Sequence, residues 1–307
     1  MFQAFLSTIY QVFFPIAIPV AGGALLKRYR GLDTKTVSSF ALHILSPALI
    51  FDTLAKAELS LDDVYKTVLF CVINLLLLWG IAVVAGKWFK LSSEERAGLT
   101  LVATFTNSVN YGLPLVILAF GQLGLDKASV YVIAQMIIVN TIGVYFAARS
   151  HFSVKAAVKS VFSLPAIYAA AVASALRISG LELPDALDKG ISMVADAYAP
   201  VVLAILGAQM VQARSSPTSA GIHKAFWAGF TIRTVLSPLI AAAILYVMSV
   251  QGILFSVIVI LSSMPAAVNA VILAEQFNAA PRFVSKCILW TTLVSFFVLP
   301  FIVVAVS

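Results

Sequence analysis

Charged residues are scarce in this chain. Asp, Glu, Lys and Arg make up 11% of its 307 residues, whereas a soluble globular domain carries about 25%. Hydrophobic residues reach 61%, and the polar connectors between apolar segments are short. This composition leaves no room for a soluble domain and predicts an all-α integral membrane protein.

Cysteine and histidine are also rare, with two and three copies. Cys71 and Cys287 lie inside apolar segments, so no disulfide, metal site or cofactor is expected. The histidines His43, His151 and His223 are scattered along the chain. A membrane-embedded enzyme needs clustered metal ligands or a nucleophile with a base, so that class is the less favoured alternative.

Apolar segments long enough to cross a bilayer recur along the whole chain. Basic residues are missing from Met1 to Phe5 but follow the first segment at Lys27 and Arg28. The first segment is therefore predicted to be a retained helix rather than a cleaved signal peptide. We predict ten spans: 4–26, 36–56, 66–89, 96–120, 127–149, 156–177, 188–212, 223–249, 252–276 and 282–305.

Lysine and arginine alternate between rich and poor connectors. The connectors after the odd-numbered spans hold 14 of the 20 basic residues, the other connectors hold five, and Arg233 lies within a span. The positive-inside rule then predicts a multi-pass protein of the cell membrane with both termini outside the cytoplasm. The net charge of +7 is accordingly a topology signal, and no nucleic-acid partner is expected.

Six prolines recur at matched intervals in the two halves of the chain. The intervals are 32 and 67 residues in the first half and 35 and 65 residues in the second. Proline kinks at random positions would rarely match in this way. We predict two five-helix repeats, 1–150 and 151–307, and the second must be inverted because five is odd. The matched prolines are Pro15, Pro47 and Pro114, then Pro165, Pro200 and Pro265.

Polar residues interrupt the fourth and ninth predicted spans, at 106–114 and 262–269. Inside hydrocarbon such breaks are tolerated only where protein or a wet cavity satisfies the backbone, and paired breaks indicate a transporter's binding site. Helix N-termini at the breaks suit an anion. The alternative is that the asparagines only cap the broken helices. The predicted substrate-binding residues here are Asn107, Asn110, Pro114, Pro265 and Asn269.

Ionisable residues inside the predicted spans are functional candidates, because charges there are costly. His43 and Asp196 each stand four residues before the second proline of a repeat and could exchange protons, although a hydrogen-bonded core histidine is the simpler interpretation. Arg233 is either a counter-charge for an anion or a side chain that reaches back to the headgroups. Neither break contains Asp or Glu, which favours a proton-coupled or uncoupled carrier over a sodium symporter.

Four spacing patterns accompany the breaks. An Asn precedes the first-break proline by seven residues, and a Gln lies in the fifth predicted span. An Arg stands five residues before a proline in the eighth span, and two prolines sixteen residues apart frame the sequence Ala-Glu-Gln-Phe-Asn. These residues are Asn107 and Pro114, Gln135, Arg233 and Pro238, then Pro265 and Pro281 around 274–278.

On these patterns the chain resembles the auxin efflux carrier family, which includes the plant PIN exporters and bacterial organic-acid carriers. The long hydrophilic central loop of many plant members is absent, so the resemblance is to a short, prokaryote-type member. It implies a scaffold of helices 1, 2, 6 and 7 and an elevator-type moving part of helices 3–5 and 8–10. The small organic anion would bind at the crossed fourth and ninth helices, with Gln135 in the site.

The resemblance also draws attention to Asp62 and Lys66, since family members place an Asp and a Lys four residues apart beside the site. A plain salt bridge between residues four apart is the alternative. Transport of a small organic anion is the leading function. The alternatives are a Na⁺-coupled carrier similar to bile-acid symporters and, from another class, a membrane enzyme. The expected partners are the substrate and the lipid bilayer, and a homodimer through the scaffold helices is a further expectation.

Overall fold

The computed structural model describes residues 2–56, 60–143, 145–146, 162–181, 183–214 and 223–306, and these ranges are overwhelmingly helical. Helices of the first half are Phe2–Thr8, Ile9–Phe13, Phe14–Arg30, Thr34–Phe40, Ala41–Leu45, Ser46–Lys56, Leu61–Trp88, Ser93–Thr104, Ser108–Gly112, Leu113–Ile138 and Val139–Gly143. Helices of the second half are Pro165–Ser179, Asp185–Asp196, Tyr198–Arg214, His223–Thr231, Ile232–Leu236, Ser237–Val247, Gly252–Ser262, Asn269–Gln276 and Pro281–Val306.

Seven helical runs within the described ranges are long and apolar enough to cross a bilayer. Two shorter apolar helices, Pro165–Ser179 and Gly252–Ser262, lie where further spans are predicted. The all-α membrane architecture is therefore confirmed, while ten separate spans and their inverted repeat stay predictions. One reason for the lower count is that the single run Ser108–Gly143 contains parts of two predicted spans.

The run Ser108–Gly143 turns back on itself at Gly121. Gly121 has φ 63° and ψ −153°, a conformation that residues with a Cβ rarely adopt. A straight helix would separate residues 107 and 135 by about 40 Å, yet Asn107 and Gln135 line the same cavity. The sequence predicts a connector between the spans that end at residue 120 and begin at residue 127. In the structure the chain reverses there at one glycine, Gly121.

Four prolines each follow a widened helical turn. Four five-residue π-helical segments each end two residues before a proline. Proline has no N–H and its ring clashes with the carbonyl group four residues earlier, so these turns contain one extra residue. The pairs are Ile9–Phe13 with Pro15, Ala41–Leu45 with Pro47, Ser108–Gly112 with Pro114 and Ile232–Leu236 with Pro238.

The first and seventh predicted helices touch backbone to backbone. A Cβ added to Gly23 would lie 1.8 Å from the carbonyl oxygen of Ala204, and one added to Gly207 would lie 1.8 Å from that of Val20. Small residues allow membrane helices to approach this closely. The second predicted helix packs against the sixth and against the start of the seventh, so these four helices form one contiguous group.

The remaining helices surround the two breaks. Leu61–Trp88 packs against Ser93–Thr104 and Leu113–Ile138, and Pro281–Val306 also contacts Ser93–Thr104. The broken helices consequently have protein on several sides. This arrangement meets the requirement that irregular backbone at membrane depth be packed in protein or line a cavity.

Candidate functional site at the helix crossover

Two non-helical segments meet at an antiparallel bridge between Thr106 and Ala266. They are residues 105–107 and 263–268, which we call the crossover. The N–H of Asn107 donates to the carbonyl oxygen of Pro265 at 2.8 Å, and the N–H of Ala267 donates to that of Phe105 at 2.9 Å. These hydrogen bonds satisfy backbone groups that would otherwise be unpaired. The two interrupted helices therefore meet and cross, as the resemblance implies.

The two breaks end their helices differently. In the second break, helical hydrogen bonds continue to the N–H groups of Ser263 and Met264 and stop at Pro265, which has no N–H. The first break is confined to residues 105–107, and helix resumes at Ser108. It is shorter than the polar stretch 106–114 suggests, and Pro114 lies inside the resumed helix rather than in the break.

Each broken helix supplies two arms. The leading arms, Ser93–Thr104 and Gly252–Ser262, end at the crossover with their carbonyl groups. The trailing arms, which begin at Ser108 and Asn269, leave it with their first N–H groups. Helix N-termini carry partial positive charge and helix C-termini partial negative charge. The crossover thus has a positive side and a negative side.

A cavity of about 300 Å³ lies on the positive side, a size typical of a small-ligand site. Of the residues predicted to bind substrate, four line this cavity, whereas Pro114 and Pro265 do not. None of the described lining residues is Asp or Glu. The polar side chains around the cavity are Ser38, Ser39, His43, Ser46, Thr106, Asn107, Ser108, Asn110, Gln135, Tyr198, Gln209 and Asn269.

Two residues that line this cavity carry buried hydrogen-bonding groups without partners. Asn107 is only 3% exposed, and its Nδ2 has no hydrogen-bond partner. The hydroxyl of the buried Ser108 likewise has none. The first N–H groups of the trailing arm, at Ser108 to Asn110, have no intrahelical acceptor because the helix begins there. Leaving a buried donor unpaired costs about 1–3 kcal/mol, so this set is suited to a ligand that accepts hydrogen bonds.

Gln135 connects the cavity to the interior. Its Nε2 donates to the hydroxyl oxygen of Tyr131 at 3.1 Å, and that hydroxyl lies 3.5 Å from the Oγ of Ser262. Ser262 is the last residue of the second leading arm. The side chain of Gln135 is therefore held in place by a buried polar chain that reaches the negative side of the crossover.

The other ionisable candidates are dispersed. His43 lines the cavity, and its Nδ1 is 2.9 Å from the carbonyl oxygen of Ser39. Asp196 is exposed and does not line the cavity. Asp62 and Lys66 form an ion pair in which 64% of the Asp62 side chain is exposed, and this pair also lies outside the cavity lining.

Arg233 is fully buried, with 0% exposure, and it lies on the negative side. Its Nη1 donates to the carbonyl oxygen of Ala103 at 3.0 Å. Its Nη2 donates to the carbonyl oxygen of Ser262 and to the hydroxyl of Ser237. The guanidinium neither reaches the headgroups nor lines the cavity, because the ends of the two leading arms hold it between them.

The polar cavity residues that sequence reasoning missed include Ser108 and Gln209. Gln209 stands in the otherwise apolar stretch 198–211 of the seventh predicted helix, and its Oε1 is buried without a partner. The available signal for Gln209 is its amide group within an apolar helix. Ser108 lies between two asparagines that were predicted to bind substrate, and this position in the sequence could have indicated it.

A second cavity of about 220 Å³ adjoins the first and shares Ser38 and Gln209 with it. Its lining includes Thr34, Lys35 and Glu275, which lie where the second predicted helix begins and the second trailing arm ends. From Thr34 to Ser46, the deepest lining residue on the second helix, a helix rises about 18 Å. The two cavities therefore run from the crossover toward one end of the helices.

Crossed broken helices beside a buried polar cavity, within a multi-pass membrane protein, define the class as a membrane transporter. The model of a family described as "Membrane transport protein" matches residues 9–157 and 147–303. The chain belongs to this family, and its resemblance to the auxin efflux carriers is thereby confirmed.

Two relatives are similar over most of their length. One is an uncharacterised transporter of Methanothermobacter thermautotrophicus, 28% identical over 272 residues that cover 87% of each chain. The other is an uncharacterised transporter of Methanocaldococcus jannaschii, 24% identical over 278 residues that cover 86% of this chain and 87% of the relative. Both names support transport and a non-enzymatic function, and neither specifies a substrate.

Proposed function

We propose that the protein carries a small organic anion, such as a monocarboxylate or dicarboxylate, across the membrane, and that the anion binds on the positive side of the crossover. The observation that carries this proposal is the unpartnered Nδ2 of Asn107, 3% exposed, beside the first N–H groups of a trailing arm. A carboxylate offers about four lone-pair sites to such donors.

The chemistry of the lining supports an anion over a cation. Its described residues include no carboxylate, while amides and hydroxyls come from several helices. Partial positive charge from the trailing-arm N-termini adds attraction without a fixed cation in contact with the substrate. Neutral donors of this kind would hold an anion firmly enough to select it and weakly enough to release it, as a carrier requires.

Alternating access would follow from the two helix groups. The first, second, sixth and seventh predicted helices pack together and would serve as the scaffold. The other helices hold both breaks and would move as the elevator that carries the anion. The cavities at the crossover are lined by both groups, so sliding one group along the other would close the present access and open access from the opposite end.

The distribution of Lys and Arg favours a cytoplasmic location for the open end. The second cavity borders Lys35 and Glu275, next to connectors that are rich in basic residues. Under the positive-inside rule this is the cytoplasmic side, and both termini lie outside. A cysteine in place of Ser307 should react with an impermeant maleimide in intact cells. Reaction only after permeabilisation would contradict this topology.

The test of the proposed function is a substrate screen on purified protein. Solid-supported-membrane currents and radiolabel counterflow should detect at least one acid among malonate, malate, lactate and indole acids. Matched series with and without Na⁺, and with and without a pH gradient, would separate the coupling modes. Uptake that requires Na⁺ would instead favour a symporter, and transport of cations alone would contradict the proposal.

A further inference from the structure

A cluster of oxygen atoms at the ends of the leading arms surrounds Arg233. The carbonyl groups of Ala103 and Ser262 lie in the last turns of Ser93–Thr104 and Gly252–Ser262. Carbonyl groups in a last helical turn lack intrahelical donors and carry the negative end of the helix dipole. Two such ends that meet within a membrane protein form a natural site for a cation.

The guanidinium occupies this site almost completely. Two of its nitrogens donate to Ala103, Ser262 and Ser237, and the hydroxyl of Ser237 also donates to the Ser262 carbonyl oxygen at 2.9 Å. The third nitrogen, Nε, has no hydrogen-bond partner. None of the ion pairs in the described part of the chain includes Arg233. The partners of this buried charge are therefore the helix ends rather than a carboxylate.

The groups that bind the leading-arm ends both come from the eighth predicted helix. Arg233 lies in the π-helical turn Ile232–Leu236 that precedes Pro238. Ser237, one residue before that proline, shares the same oxygen atom of Ser262. The widened turn thus brings a cation and a hydroxyl from one helix to both broken helices at once.

We propose that Arg233 is a tethered cation that takes the place of a free coupling ion at the crossover, so that the carrier binds and moves its anion without Na⁺. The bound guanidinium neutralises the converging leading-arm ends permanently. The crossover then keeps its shape, with the trailing-arm N-termini directed at the cavity, at every stage of transport. Arg233 is a positioning residue, because it touches the backbone of the site and not the cavity. This inference rests on the proposed function for its transport consequence.

The first test measures thermal stability and needs no substrate. Arg233→Ala should melt below the wild type, and millimolar guanidinium chloride should raise its melting temperature by about 2–4 °C by filling the vacated site. The wild type and the matched control Arg177→Ala, an exposed arginine, should show no such rise. Equal effects on all three proteins, or an Arg233→Ala variant as stable as the wild type without guanidinium, would overturn the assignment.

A second pair of variants separates charge from hydrogen bonding. Arg233→Lys keeps the charge, whereas Arg233→Gln keeps donors without charge. We expect the lysine variant to melt above the glutamine variant, and this comparison still decides the matter if the alanine variant does not fold. A lysine variant no more stable than the glutamine variant would show that a cation is not what the site requires.

The transport consequence has its own readout. Counterflow by the wild type should be equal in Na⁺, K⁺ and choline media, and Arg233→Ala should lose about tenfold or more, with partial recovery in guanidinium. A Na⁺ requirement of the wild type would overturn the proposal. If no acid is transported at all while the melting results hold, the proposed function fails and the tethered-cation assignment stands.

Discussion

The positive and negative sides of the crossover both arise from the breaks in two helices, yet they differ in charge and in hydrogen bonding. On the positive side, Asn107 and Ser108 line a cavity and carry buried polar groups without hydrogen-bond partners. On the negative side, Arg233 and Ser237 saturate the carbonyl oxygen of Ser262. The positive side thus offers uncharged polar groups around a cavity, whereas the negative side is occupied by the charged side chain of Arg233.

This difference follows from helix geometry alone. Breaking a helix produces one end with free N–H groups and one with free carbonyl groups. Crossing two broken helices brings like ends together, so the positive ends meet on one side and the negative ends on the other. The chain fills the side whose ligand would be a cation and leaves open the side whose ligand would be an anion. Substitutions that alter both sides, the positive side alone or the link between them therefore test whether the two sides act independently.

The largest effect is expected from Pro265→Ala. Proline costs a helix interior about 3 kcal/mol, so removing it shifts the balance toward a continued leading arm by about 150-fold. Continuation would break the hydrogen bond from the Asn107 N–H to the carbonyl oxygen of residue 265 and disrupt both sides of the crossover. Counterflow should fall below about a tenth of the wild type, although the variant need not be less stable.

Pro114→Ala is the matched control for this change. Pro114 follows a π-helical turn and lies within the resumed helix, so its removal leaves residues 105–107 non-helical. Most of the counterflow should remain, as it should for Pro15→Ala and Pro165→Ala outside the crossover. Equal losses in the Pro265 and Pro114 variants would mean that these prolines serve folding and not the break.

A second prediction changes only the positive side. Asn107→Ala should weaken anion binding by about 5- to 150-fold, which corresponds to one or two lost hydrogen bonds. Its melting temperature should not fall, because the Nδ2 has no partner in the empty protein. Asn74→Ala is the control, since Asn74 is equally buried at 3% but lies outside the cavity. Isothermal titration of the acid found in the screen measures both, and equal affinities would remove Asn107 from the site.

The smallest effect is expected at the residue that links the two sides. Gln135→Ala should lower anion affinity by about 5-fold, because its Nε2 is already engaged by Tyr131. The variant also frees the Tyr131 hydroxyl near Ser262, so a modest loss of stability should accompany it. Gln122→Ala, beside the reversal at Gly121 and outside the cavity lining, should leave anion affinity unchanged. Unchanged binding in the Gln135 variant would confine the site to the crossover itself.

The residues themselves predicted two broken helices and three of the cavity residues, Asn107, Asn110 and Asn269, because Asn and Pro within apolar spans have few other uses in a membrane. The crossing of the two helices and the place of Gln135 in the site came from the family resemblance. It did not predict the exact extent of the first break. Pro114 marks the place where the resumed helix widens, and nothing in residues 105–107 prevents helix by itself. Their non-helical form is stabilised by hydrogen bonds to residues 265–267, 158 or more positions away in the chain.

The role of Arg233 was equally inaccessible from the sequence. A lone arginine in an apolar helix suggests a counter-charge or a headgroup contact. The sequence pattern does not show which groups of the folded protein surround the side chain. Its partners, the carbonyl groups of Ala103 and Ser262, are backbone atoms that any residue could supply. Only the packing of three helices reveals that two negative helix ends meet at one guanidinium.

The most direct test locates the bound anion. A brominated form of the best substrate from the screen can be soaked into crystals and found by its anomalous scattering. We predict bromine density in the cavity of about 300 Å³, with the carboxylate within hydrogen-bonding distance of the Nδ2 of Asn107 and the N–H groups of Ser108 to Asn110. Density beside the guanidinium of Arg233, on the other side of the crossover, would contradict the account.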